Sequence, residues 1–86
     1  MVDDIDFDVE ACEQWIAKAD ENEAEWGHQR VDTLLLAMLE ELGELAQAYL
    51  EARSEDGDPE RMQDELDDLA ALCVQFRRQL RRRNGS

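Results

Sequence analysis

The stretch DTLLLAMLEELGELAQAYLEAR, residues 32–53, decides how the chain is read. Wound at about 100° per residue, its apolar positions fall on two adjoining stripes. Leu35, Met38, Leu42, Leu45 and Tyr49 form one, and Leu36, Leu39, Ala46 and Leu50 form the other. So broad an apolar surface exceeds what a small monomer needs on one helix. The second stripe is therefore expected to meet another subunit, with Gly43 permitting close approach. The remaining arc carries Glu40, Glu41 and Glu44. Acids on a helix usually mark a solvated face, but the column Leu34, Ala37, Glu41, Glu44, Ala48 brackets two of these carboxylates with apolar side chains.

Working outward, Asp32 is the natural N-cap of this helix, and the break WGHQRV, residues 26–31, separates it from an upstream segment. That segment is expected to be helical over about 8–25, capped by Asp8, with Cys12, Trp15, Ile16 and Ala19 at three- and four-residue spacing. Downstream, Asp58-Pro59-Glu60 places a cap, a first-turn proline and a first-turn acid in their preferred order. A third helix is expected over about 59–83. Its last turns carry Arg77, Arg78, Arg81, Arg82 and Arg83, where the helix dipole favours positive charge; an anionic ligand is a second use for one or two of them. With one Pro, four Gly and no alternating strand pattern, the 86 residues read as one all-α domain. The expected subunit has two long antiparallel helices bearing the acids plus an N-terminal helix, and it assembles into an oligomeric helical bundle.

The third helix repeats the arrangement of the second. Glu65 and Asp68 share a column with Leu72, while Met62, Leu66, Leu69, Cys73, Phe76 and Leu80 form the expected core stripe. Two helices joined by a short turn pack antiparallel, so Glu41 and Glu44 can face Glu65 and Asp68. Four converging carboxylates repel one another unless a cation neutralises them. An all-carboxylate set without His or Cys selects a hard ion, Mg²⁺ first and Mn²⁺ second. The competing reading is that acids scattered by an acidic composition fall at helical spacing by chance.

That composition is pronounced: 23 Asp and Glu stand against 9 Lys and Arg, a formal net charge of -14. Such a surface repels nucleic acid and anionic lipid. Lys18 is the only lysine among the nine basic residues, a balance that resembles proteins of salt-loving organisms. No apolar run is long enough to span a membrane, and MVDDIDFDVE is acidic where a signal peptide is basic, so a cytoplasmic location is expected. Cys12 and Cys73 are expected to be small core residues and not a disulfide or metal pair.

With these residues in view, LLLAMLEELGELAQA, residues 34–48, resembles the first signature helix of the MazG-type all-α nucleoside triphosphate pyrophosphohydrolases, and DELDDLAAL, residues 64–72, resembles their second. The family pattern EExxE followed by ExxD is matched by Glu40, Glu41 and Glu44 and by Glu65 and Asp68, and the similarity covers about Trp26 to Phe76. The resemblance implies that Glu41, Glu44, Glu65 and Asp68 bind Mg²⁺, with Glu40 a flanking acid. It also implies hydrolysis of a nucleoside triphosphate between the α and β phosphates, and work as a homodimer or homotetramer. Family members often carry an aromatic before the signature helix, the place of Trp26 here. An indole there can stack on a nucleobase, with His28 or Arg30 reaching phosphate or sugar. Phosphoribosyl-ATP pyrophosphohydrolases share the carboxylate pattern and are the runner-up within the class. Outside it stands a non-catalytic acidic helical module for oligomerisation or partner binding.

Overall fold

The computed structural model describes the backbone of residues 2–54 and 57–85 and the side chains of 9–54 and 57–82. It is all-helical: α1 spans Val2–Trp26, α2 Val31–Ala52 and α3 Pro59–Gly85, with no strand among the described residues. No described helix is long and apolar enough to cross a membrane.

Local chemistry explains most of the boundaries. α1 stops where Gly27 adopts φ 78°, a left-handed conformation that costs glycine nothing, and the Gly27 N–H closes the last turn on the Glu23 carbonyl at 2.8 Å. At the start of α3 the Asp58 carboxylate accepts from the Glu60 N–H at 3.0 Å, with Pro59 as first helical residue, as the sequence order requires. The turn before it folds tightly back on α2. A Cβ at Gly57 would collide with the Glu51 carbonyl and the Ala52 Cα, so only glycine fits.

Two expected caps are displaced. α1 begins at Val2, which leaves Asp8 inside the helix, because no Pro or Gly before it stops the helix from extending backward. The N-cap of α2 is Arg30, extended at φ -66°, ψ 154°, and it has no side-chain cap bond. Asp32 lies in the first turn instead, accepting from the Thr33 N–H at 2.8 Å and pairing with Arg30 at 3.3 Å. There it still meets the positive end of the helix dipole.

α3 is the central helix. It packs against α2 on one side and α1 on the other, while α1 and α2 make no close backbone approach among the described residues. Opposed pairs fix the directions. Glu51 of α2 meets Arg61 of α3, so α2 and α3 are antiparallel. Trp15, Asn22 and Glu23 of α1 meet Asp67, Gln75 and Arg78 of α3, so α1 and α3 run parallel. Arg78 bridges Asp20 and Glu23 at 3.0 Å each, and Arg82 reaches Glu23 at 3.5 Å. Part of the arginine cluster thus joins α1 to α3.

Among the described residues the fully buried apolar ones are small or few: Ala19, Leu34, Ala48 and Ala71. On α2 the inward column is the one carrying Leu34, Ala37, Glu41 and Ala48. The leucine stripes lie outward: Leu35, Leu36, Leu39, Leu42, Tyr49 and Leu50 are all at least half exposed. The expected α3 core stripe is likewise displaced, with Leu66 and Cys73 exposed and Ala71 and Gln75 innermost. Cys12 and Cys73 are free and exposed, contrary to their expected core role. Small residues let helices approach closely, so α3 settles into the alanine-lined column of α2 and leaves the bulkier side chains on the outer face.

This leaves an open subunit. Its radius of gyration is 14.7 Å, against about 12 Å for a compact chain of this length. Its accessible surface is 6510 Å², against roughly 5,200 Å² for a compact monomer of this mass.

Candidate functional site

α2 and α3 bring their acids together along the shared inward column. Oxygens of Glu41, Glu44 and Glu65 lie within 4.8 Å of one another. Glu41 and Glu65 are half buried, and each encloses an Oε2 atom that finds no hydrogen-bond partner; Glu44 completes the trio from the exposed side. Burial disfavours the charged form of Glu41, a hydrogen bond shared with Glu65 favours the protonated form, and the charges of Glu44 and Asp68 add to the effect. Together they push its pKa up to about 7.

Asp68, the fourth expected acid, lies near enough to act on Glu41 but is held from the other side. The Lys18 ammonium of α1 forms an ion pair with Asp68 Oδ1, and this bond to Asp68 raises the lysine pKa. Arg61 closes the opposite end of the acidic column. Its guanidinium binds both carboxylate oxygens of Glu51 at 2.7 Å and stands 3.9 Å from Glu65. Glu40 is exposed and lies outside the trio.

Beside the acids runs a cavity of about 460 Å³, with α3 as floor and α1 and α2 as walls. Asp68, Leu72 and Gln75 form the floor, and Ala37 and Glu41 the α2 wall. The α1 wall is Lys18, Asn22 and Trp26, spaced four residues apart and so stacked on one helix face about 6 Å apart, with Gln29 of the following loop at the end. Its volume lies within the usual range for small-molecule sites.

The residues expected to hold substrate are thus separated. Trp26 is 65% exposed and lines this cavity. His28 is exposed on the α1–α2 connection and does not line it, and Arg30 borders a different cleft with Val31, Leu35 and Gln79. The sequence reading missed Lys18, Asn22, Gln29 and Gln75. A signal was present for two of them, because Lys18 is the only lysine and Asn22 and Trp26 follow it at steps of four.

Comparison of the chain with protein-family models, curated proteins and solved structures gives no match.

Proposed function

We propose that the protein is a Mg²⁺-dependent nucleoside triphosphate pyrophosphohydrolase that releases a nucleoside monophosphate and pyrophosphate. The observation that carries this reading is the acid trio of Glu41, Glu44 and Glu65 beside a cavity of nucleotide-compatible size, which Glu41 and Asp68 line. Its resemblance in the EExxE and ExxD patterns to MazG-type enzymes supports the same assignment.

The residues fit a hard divalent ion. Two buried carboxylate oxygens lack partners, the donors are all oxygen, and no His or Cys is among them. Glu41, Glu44 and Glu65 would hold Mg²⁺ or Mn²⁺, with Asp68 joining once it exchanges Lys18. Such an ion neutralises triphosphate charge and lowers the pKa of water for attack at phosphorus. The chain's own groups do the rest. Burial and the neighbouring acids raise the Glu41 pKa to about 7 in the metal-free column, so this carboxyl would give up its proton on taking the ion. Lys18 offers an ammonium to phosphate oxygens from the α1 wall, and Trp26 offers an aromatic face for the base. The role is hydrolysis within the nucleotide pool.

Assembly as a homodimer or homotetramer belongs to the same reading. The half-exposed leucines of α2 form a continuous apolar face, and the subunit exposes about 1,300 Å² more than a compact monomer, ample beside the ~800 Å² a standard interface covers per partner. Among the described residues nothing lies within 4 Å of where a Cβ at Gly43 would stand, which leaves room for a partner's approach. The same face favours, as a second reading, a helical oligomerisation module without catalysis.

A screen of pyrophosphate release from the ribo- and deoxyribonucleoside triphosphates separates them. The expected result is release with Mg²⁺ from at least one nucleotide, abolished by EDTA. Absence of release from every nucleotide, with the oligomer intact, supports the module instead.

A further inference from the structure

Gln75 is the most deeply buried polar side chain described, 2% exposed in a core otherwise made of alanines and Leu34. A buried primary amide is costly unless its oxygen and its NH₂ are satisfied. Its Oε1 accepts from Asn22 Nδ2 at 2.9 Å, and neither amide has another partner among the described residues. The Asn22 oxygen and the Gln75 nitrogen take no part in this bond, so the pair retains one acceptor and a donor group while both residues line the cavity. A pure tether between α1 and α3 would not require this, since ion pairs from Arg78 and Lys18 already join these helices.

The position is specific as well. On α1, Lys18 stands against the acids, Asn22 is one step of about 6 Å further on, and Trp26 a second step beyond. The column therefore presents a cation, an amide and an aromatic in the order in which a nucleotide presents phosphate and base.

We propose that the Asn22–Gln75 amide pair selects the nucleobase while Trp26 covers the ring face: every base edge offers a donor beside an acceptor, but their order relative to the sugar separates adenine and cytosine from guanine and uracil or thymine, and a fixed amide pair accepts one order. This rests on the pyrophosphohydrolase reading and adds to it the residues that set base preference. A site built to hydrogen-bond a ligand group discriminates strongly against analogues that leave it unpaired.

The test compares wild type, Asn22→Ala and Asn22→Asp for kcat/KM on triphosphates of the four bases with Mg²⁺. In parallel, calorimetry without metal measures binding of the four monophosphates. Asn22 is half buried and the Asp variant keeps its shape, so at least one folded variant is available, as circular dichroism will show. Wild type is expected to prefer one of these two classes of base, and Asn22→Ala to reduce that preference about tenfold. In Asn22→Asp the carboxylate can bind Gln75 only by accepting from its NH₂. That turns the Gln75 carbonyl outward and leaves two acceptors, a pattern matched by the adjacent N–H donors of guanine, so preference should shift about tenfold toward guanine. Monophosphate binding should follow the same order. Base ratios unchanged in both variants, or a wild type indifferent to base, would overturn the inference and leave the pyrophosphohydrolase reading standing. A wild type that hydrolyses no nucleotide and binds no monophosphate would overturn both.

Discussion

Glu41 on α2 and Glu65 on α3 each turn one carboxylate oxygen into the helix interface, where neither oxygen has a hydrogen-bond partner. Two such groups at the packed seam of a subunit with so few buried apolar residues are a deliberate expense of stability. The pH dependence follows from the direction of the shift. The Glu41 pKa is raised from 4.5 to about 7 on folding, so the native state binds the proton more tightly than the unfolded chain. Its contribution is fully present below pH about 4.5 and is lost as pH rises to about 7. In EDTA, wild-type melting temperature should fall across pH 5 to 8. Glu41→Gln should melt higher than wild type at pH 8 and show a shallower slope. Equal slopes in the two proteins would mean that the pH effect comes from the general acidity of the chain.

Lys18 pairs with Asp68 where an expected metal ligand would otherwise be open, so the ammonium competes with a cation for that carboxylate. Lys18→Gln should bind Mg²⁺ more tightly, read by calorimetry, yet show a higher KM for nucleotide because a phosphate contact is gone. Both parameters unchanged would make the ion pair a plain surface bridge, worth no more than about 1 kcal/mol.

The outward leucines of α2 predict the oligomer. Leu36 and Leu39 are each 66% exposed in the isolated subunit, and Asp at both positions should convert the assembly to monomers in light scattering at high salt. Wild type that is already monomeric at micromolar concentration would contradict this.

Charge predicts the response to salt. With a net charge of -14, repulsion among carboxylates should be screened as KCl rises from millimolar to molar, and the melting temperature should climb. A flat response over that range would show that the acidity serves another purpose.

Helix number, the Asp58-Pro59-Glu60 start of α3 and the pairing of the acid columns were legible in the sequence, because capping chemistry and the 3.6-residue period are local properties. Which stripe of α2 faces inward was not. Hydrophobic periodicity ranks faces by apolar content, whereas the observed packing favours Ala37, Ala48 and Ala71, whose small size permits close approach, and leaves Leu36 and Leu39 outside. The central place of α3 was equally hidden. It depends on pairs more than fifty residues apart, such as Trp15 with Asp67 and Asn22 with Gln75, to which a helix-by-helix reading has no access.

The most direct measurement is pyrophosphate release, with and without Mg²⁺, by wild type, Glu44→Gln and Glu65→Gln, each checked for helical content. If the acid trio holds the catalytic metal, wild type releases pyrophosphate only with Mg²⁺, and both variants lose activity at least a hundredfold while remaining folded. They should also lose the rise in melting temperature that Mg²⁺ gives wild type. Full activity in both folded variants would contradict the assignment.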